Sequence, residues 1–240
     1  MRLTGEIVRI EDLTEDQRNR CFQLLRTYFE GADLETFRRD LAEKQWMILL
    51  SDPVDGSIQG FSTQMLLERV ISGVPIKALF SGDTIISRDH WGDNELAKQW
   101  FRLAEHLSSL YPQSRLFWFL ISKGYKTYRF LPVYFKKFYP CYNGETPEFE
   151  KQIIDALGYL KYPDDYSGRD GVIHLSKNAM YLKKGVADID EKRLKDPHVH
   201  FFVERNPFYW KGDELVCVAE FAEHNFNPCV FKMIAAVSKL

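Results

Sequence analysis

Apolar positions along the chain follow two different periods. Residues 6–10 read as a first strand, and a helical period follows. Thr14-Glu15-Asp16-Gln17 is a capping box, in which the Thr hydroxyl accepts from an orphan amide while Gln17 reaches back to the cap. Cys21, Leu24, Leu25, Tyr28 and Phe29 then share one face, and Gly31 ends the run. A second short helix is predicted after Asp33, with Leu34, Phe37 and Leu41 inward. From residue 46 the period shortens to two. Residues 46–50 form a compact apolar strand, and Asp52-Pro53-Val54-Asp55-Gly56 is a turn in which Pro fixes φ and Gly supplies a positive one. Residues 57–70 and 75–87 read as long strands joined at Ser72-Gly73. On the second, Ile76, Ala78, Phe80, Gly82, Thr84 and Ile86 alternate with Leu79, Ser81, Asp83 and Ile85. Both sets are largely apolar or small, as in a strand covered on both faces.

Residues 94–110 give the clearest helix, with Leu96, Trp100, Leu103, Ala104, Leu107 and Tyr111 in one stripe and Pro112 as its stop. Residues 116–121, LFWFLI, are a buried strand. A helix with Pro132 in its first turn is expected to run toward Phe138, with Pro140 closing it. Residues 147–157 are expected to be helical and 161–170 a loop, while 198–204 and 214–221 read as strands.

The 240 residues suit one large domain or a domain with an extension. A net charge of -2 gives no global argument for nucleic acid. Residues 1–10 carry Glu6 and no apolar run, so no signal peptide is expected there, and no stretch has the length of a membrane span. Cys21, Cys141, Cys217 and Cys229 form no CxxC pair and show no zinc spacing. Reduced thiols in a cytoplasm and no metal are therefore expected. The aromatic fraction of 15% fits a ring-rich core, or rings that line an apolar channel.

The order strand, helix, helix, strand, two long strands, helix, strand, helix and further strands resembles the GNAT superfamily of N-acyltransferases, best over residues 1–140. The resemblance implies an α/β fold with a central mixed, mostly antiparallel sheet flanked by helices. Residues 1–140 would be the acyltransferase core, with 141–240 as a C-terminal extension completing the same domain. In the family the long strand runs into a loop and helix whose amides hold the pyrophosphate of acyl-CoA. The matching segment here is Ser87-Arg88-Asp89-His90-Trp91-Gly92-Asp93-Asn94-Glu95-Leu96. Gly92 matches the first Gly of the motif. Asn94 stands where a second Gly or Ala is usual, Trp91 where a basic residue is common, and Arg88 one place early. Asp93 and Glu95 carry the sign of the phosphates and oppose part of the helix contribution of about 0.3–1 kcal/mol. The resemblance therefore assigns Ile85, Ile86, Ser87, Arg88, Gly92, Asp93 and Asn94 to the donor arm. The basic, aromatic stretch 122–129 follows, with Lys123 and Lys126 supplying the missing positive charge. The donor it implies is acyl-CoA, or acyl-phosphopantetheine on an acyl carrier protein.

Acyl transfer to an amine needs a base for the ammonium proton and an acid for the leaving thiolate. The segment Val133-Tyr134-Phe135-Lys136-Lys137-Phe138-Tyr139 is similar to the family's segment around its acid, so Tyr134 is the expected acid, with Tyr128 and Tyr139 in reserve. Asp83 interrupts an apolar strand, where a carboxylate needs a partner or a function. It is the expected base, with Glu68 as alternate; a carboxylate bonded into a turn or bulge at Gly82 is the competing reading. His198 and His200 would share one side of their strand. The implied function is acyl transfer from a thioester to an amine-bearing small molecule or peptide. The alternative is a GNAT-like binding or regulatory module without catalysis.

Overall fold

The computed structural model describes residues 2–174 and 180–237. Residue 1, and residues 175–179 and 238–240 of the expected C-terminal part, lie outside the described residues. The elements in chain order are β1 (Thr4–Arg9), α1 (Glu15–Tyr28), β2 (Phe29–Glu30), α2 (Leu34–Ala42), β3 (Trp46–Ser51), β4 (Ile58–Ile71), β5 (Val74–Ile86), α3 (Glu95–Leu110), β6 (Arg115–Ser122), α4 (Tyr125–Tyr128) and α5 (Phe130–Tyr134). They continue with α6 (Glu148–Lys161), β7 (Tyr166–Ser167), β8 (Val172–Ile173), β9 (Tyr181–Leu182), α7 (Glu191–Leu194), α8 (Pro197–Arg205), β10 (Glu214–Glu220) and α9 (Pro228–Val237).

Local signals place the first elements as the sequence predicts. The Thr14 hydroxyl accepts from the Gln17 amide while Gln17 Oε1 accepts from the Thr14 amide. Asp33 caps α2 by accepting from the Thr36 amide at 2.8 Å. Ser72 and Gly73 have φ of 49° and 80°, the pair of positive values that a tight two-residue hairpin turn needs. They set β4 and β5 antiparallel, with Ile71 opposite Val74.

The main sheet has eight strands in the order β1-β3-β4-β5-β6-β10-β8-β7. Every neighbouring pair is antiparallel except β5 and β6. That parallel ladder runs from Ile76 opposite Arg115 to Ser81 opposite Leu120, and there it ends. Beyond it the strands part: β5 stays with β4 out to Ile86, and β6 stays with β10 out to Ser122. The mixed, mostly antiparallel sheet that the resemblance implied is therefore present, and its parallel pair splays. One face of the sheet, with Leu79, Trp118, Leu120 and Leu215, packs under α3. The other is covered by α6 over Ala78, Phe80, Phe117 and Phe119, and by α1 and α2 over Met47, Leu49, Phe61 and Ile85.

Three expectations are corrected. First, strict alternation along β5 fails. Ser62 pairs with Thr84 but Gln64 pairs with Ser81, so Gly82 and Asp83 together oppose Thr63. This β-bulge turns Ser81, Thr84 and Ile86 to the α3 face and leaves Ile85 in the α1/α2 core. Second, residues 198–204 are helical, in α8. Asp196 accepts from the His198 amide and Pro197 opens the first turn, so His198 and His200 do not share a side. Third, the helix expected to reach Phe138 stops at Tyr134. Tyr139 instead bridges to Val218 on the outer edge of β10, and Phe135 bridges to Phe226 beyond that strand's end.

The Phe119 ring is fully buried and lies 5.2 Å from Phe80 between β6 and α6. Phe119→Ala is expected to lower the unfolding free energy by about 3–5 kcal/mol, read from urea unfolding. A loss below about 1 kcal/mol would show that the α6 face is not part of the core.

Candidate active site

The bulge places two chemically different groups of residues on the two sides of the splayed strands. On the α3 side is a narrow, mostly apolar cavity with about 50 Å³ of room. Its lining includes Leu96, Trp100, Phe101, Trp118, Phe130 and Tyr134, together with Ser62, Ser81, Thr84 and Thr127. Along its wall runs a directed hydrogen-bond chain. Trp118 Nε1 donates to Ser81 Oγ at 2.9 Å, and Ser81 Oγ donates to Gln64 Oε1 at 2.9 Å. Gln64 Nε2 donates to Ser62 Oγ at 2.7 Å, Ser62 and Thr84 hydroxyls meet at 2.7 Å, and Thr84 Oγ1 donates to Gly82 O. Because Thr84 spends its proton on Gly82, Ser62 must be the donor to Thr84. The chain uses up the hydroxyl protons of Ser62, Ser81 and Thr84.

The Tyr134 hydroxyl stands outside that chain and makes no hydrogen bond among the described residues. Its ring stacks on Phe130 and meets Phe101 edge-on, and burial pushes the phenol up to about 12. The Trp100 indole N–H, buried in the same wall, also has no partner among the described residues. The two reserve tyrosines are committed elsewhere. Tyr128 donates to Pro140 O at 2.9 Å, and Tyr139 packs against the core on the α6 face, away from this cavity.

On the opposite side of β5 lies an ionic cluster. Lys44, its side chain fully buried, pairs with Asp40 of α2 at 2.7 Å. Lys123, just past β6, pairs with Glu214 of β10 at 3.2 Å, and Lys161 at the end of α6 pairs with Glu43. The position of a Gly82 Cβ would be 2.6 Å from Thr63 Oγ1 and 3.1 Å from Lys44 Cε, so only Gly fits the bulge at that point. Thr63 Oγ1 is itself buried without a partner among the described residues.

Asp83 stands within reach of this cluster's field yet has no hydrogen bond or ion pair among the described residues. Its surface is half-buried, but protein surrounds it closely. Desolvation, reinforced by Asp40 and opposed by Lys123 and Lys44, raises its carboxyl to about 6. The competing reading, a turn or bulge at Gly82, is matched by the bulge itself, although the Asp83 carboxylate makes no hydrogen bond within it among the described residues. Glu68, the alternate base, is an exposed partner of Lys77 at the far end of β4.

The residues expected at the donor arm are partly brought together. Ile86 and Asp93 line the α3-side cavity. Lys126 Nζ lies 3.5 Å from the Trp91 ring centroid, with the Arg88 guanidinium 5.2 Å from the same ring. Burial, then Arg193 and Arg88, lower the Lys126 ammonium below the usual lysine range. The N-terminus of α3, however, already holds a carboxylate. Asp93 accepts from the Glu95 amide at 2.7 Å and from the Leu3 amide at 3.0 Å. Ser87 donates its amide to Gln59 O, and Ile85 faces the α1/α2 core. Lys123 turns to the Asp83 side. Asp83 and Tyr134 do not touch.

Sequence reasoning missed Lys44, Glu214, Lys161 and the Trp118-to-Thr84 chain. One signal was legible: Ser62-Thr63-Gln64 is a polar triplet inside an apolar strand. A wider cleft of about 390 Å³ lies on another part of the surface, between Lys136, Lys137, Tyr142 and His198. It contains neither Asp83 nor Tyr134. Among the described residues no group of three or more His, Cys, Asp or Glu could hold a metal ion, and no helix is long and apolar enough to cross a membrane.

No family model and no curated protein matches the chain. Similar solved structures include a conserved protein of unknown function from Enterococcus faecalis V583, described as a probable N-acyltransferase. It is 14% identical with a TM-score of 0.42, covering 56% of this chain and 33% of that one. The GNAT family N-acetyltransferase YhbS from Escherichia coli, in complex with CoA, is 15% identical with a TM-score of 0.36, covering 51% and 65%. Glucosamine-6-phosphate N-acetyltransferase from Arabidopsis thaliana is 19% identical with a TM-score of 0.35, covering 49% and 81%. The chain thus spans about a third of the Enterococcus protein's length and just under two thirds of YhbS.

The raised Asp83 carboxyl has a consequence for stability. The folded protein holds this proton more tightly than the unfolded chain, whose Asp titrates near 3.9. Ionising Asp83 therefore opposes folding, and its contribution falls as pH rises from about 4 to 6. Asp83→Asn removes that penalty. The stability of the variant relative to the parent is expected to rise by about 1–3 kcal/mol between pH 4 and pH 7, measured by urea unfolding across that range. A difference independent of pH would remove the desolvated-carboxylate reading.

Proposed function

We propose that the protein is an acyltransferase that moves a short acyl group from a thioester, acyl-CoA or acyl-phosphopantetheine, to an amine. One observation carries this reading. A desolvated carboxylate with no partner and a phenol with no partner lie on the two sides of a single splayed strand pair. A thioester threaded between β5 and β6 would present its carbonyl carbon to an amine on the Asp83 side and its sulfur to the Tyr134 side.

In this reading Asp83, poised near neutral pH, takes a proton from the acceptor ammonium, directly or through a water. The amine nitrogen bonds to the acyl carbon, and the tetrahedral adduct collapses with loss of the C–S bond. Tyr134 gives its proton to the departing thiolate and recovers one from solvent, while the new amide nitrogen loses its extra proton to solvent and Asp83 releases the one it took. The wall of the cavity offers hydroxyl lone pairs but few free protons, which leaves the Tyr134 hydroxyl as a fitting donor to sulfur. The partnerless Trp100 N–H would be satisfied by a carbonyl oxygen in the cavity, a second reason to seat an acyl group there. The room available suits a few heavy atoms rather than a long chain. Arg88 and Lys126 are the cations for the donor phosphates.

Tyr134→Phe and Asp83→Asn are each expected to lower kcat by about 10²–10⁴-fold with a thioester donor and an amine acceptor. Donor affinity should persist in both. The parent enzyme should lose activity as pH falls through about 6, and Asp83→Asn should flatten that limb. A fully active Tyr134→Phe would pass the acid role to Tyr128, Tyr139 or solvent. Thermal shifts with acyl-CoAs of graded length should be largest for the shortest chains, because a ligand of the folded state raises stability. No shift with any thioester would reject the reading.

A further inference from the structure

The two rims of the splayed strands are joined by a third piece of chain. One rim is residues 87–91, after β5; the other is residues 122–126, after β6. Residues 180–187 cross between them, beginning as β9 against β2. Cations from both rims hold this crossing segment by its carbonyls. Lys123 Nζ donates to Met180 O at 2.9 Å, Arg88 Nη2 to Gly185 O at 2.9 Å, and Lys126 Nζ to Val186 O at 2.6 Å. The segment's own Lys183 Nζ donates back to Arg26 O at 2.7 Å. Leu182 and Ala187 close over Gly124, where a Cβ would stand 2.9 Å from Leu182 Cδ1 and 3.4 Å from Ala187 Cβ.

The cations on this segment are those with a natural claim on a phosphate. Lys123 has Glu214 as well, but Arg88 and Lys126 have no carboxylate partner among the described residues. Each donates to a neutral carbonyl, a weaker acceptor than an anionic oxygen. The segment itself is lightly held: β9 is two residues long, Lys184 and Gly185 are exposed, and Gly185 turns the chain at φ 87°. Few backbone bonds and little buried area make such a segment inexpensive to displace.

We propose that residues 180–187 are an autoinhibitory strap. In the donor-free protein its carbonyls occupy the cations at the mouth of the cleft, and a phosphate-bearing donor enters by exchanging places with them. The proposal rests on the acyl-donor reading above. It adds that donor affinity is set by an opening equilibrium, so that loosening the strap tightens binding.

The test uses the full chain with coenzyme A as the probe, titrated calorimetrically, and hydrogen exchange read at residues 180–189. Two variants loosen the strap outside the catalytic machinery: Leu182→Ser removes the packing on Gly124, and Lys183→Ala removes the anchor to Arg26. Lys183→Ala, on a partly exposed side chain, serves if Leu182→Ser does not fold. The expected result is that coenzyme A speeds exchange in the strap of the parent protein. Each folded variant should bind coenzyme A more tightly, by about tenfold for the more open one. Binding that leaves strap exchange unchanged or slower, with variants no tighter than the parent, would overturn the strap and leave the donor reading standing. Variants whose strap exchanges freely but which bind no coenzyme A would overturn the donor reading, and the strap's role with it.

Discussion

The arrangement depends on where one hydrogen-bond ladder stops. β5 and β6 are the sheet's parallel pair, and parallel strands need a crossover, here supplied by α3. Their ladder ends at Ser81 and Leu120, and within two residues β5 takes on the extra residue of its bulge. Bulges bend the strand that carries them and increase its local twist. The bend accounts for the parting of the strands and for the exchange of faces beyond Gly82. It also leaves the β6-facing backbone of β5 without a strand partner past Ser81. Without the bulge, Asp83 would alternate with Thr84 in register with Ser81, on the α3 face among aromatic rings. With it, Asp83 joins the lysines and carboxylates gathered under α2 and α6.

The α2 side has its own constraint. Asp40, Glu43, Asp83 and Glu214 face Lys44, Lys123 and Lys161, drawn from α2, β5, β6, α6 and β10. Three of the carboxylates are paired with a lysine at or below 3.2 Å. Pairing limits the cost of removing those ions from water, a cost the Coulomb attraction offsets only when the geometry is good. Asp83 is left over. Its environment withholds water but supplies no direct cation, so its carboxyl is raised to about 6. Glu214, the partner of Lys123, is pushed upward too, first by its own burial. The cluster thus keeps one proton-accepting group near neutrality by pairing its neighbours with one another.

Much of the fold was legible because its signals are local. The Thr14 capping box, the Asp33 cap, the Ser72-Gly73 turn and the LFWFLI strand each act within a few residues, and each stands where the pattern put it. The errors came from contacts distant in sequence. The bulge is set by Thr63 of the neighbouring strand, which no reading of residues 75–87 alone would find. The α8 region alternates apolar and polar side chains like a strand, yet Asp196-Pro197 is a helix opening that outweighed the alternation. At the site, Asp83 and Tyr134 stood out because each is polar chemistry on an otherwise apolar element. Lys44 and Lys161 sit at helix ends, where a lysine is ordinary, so nothing local marked them. The ion pair of Lys123 was hidden for a similar reason. Glu214, which draws Lys123 to the other side, lies 91 residues further along the chain.

The N-terminus of α3 shows how these parts constrain one another. A helix N-terminus attracts an anion through its free amides and dipole, a contribution of about 0.3–1 kcal/mol at an exposed site. Here Asp93 supplies that anion from within the chain and ties the Glu95 amide to the start of β1 through the Leu3 amide. A donor phosphate arriving at the same place would compete with a carboxylate at very high local concentration, and would meet its like charge. The amides therefore contribute little net attraction to a donor, unlike the arrangement implied by the family resemblance. In the proposed reading the attraction falls to Arg88 and Lys126, which share the face of Trp91. Because these cations also hold residues 180–187, whatever binds the donor phosphates must release that segment. Replacement of the usual basic residue by Trp91 and self-occupation by Asp93 thus have one consequence. In the proposed reading they move anion recognition from fixed backbone amides to side chains that the carbonyls of residues 180–187 also engage.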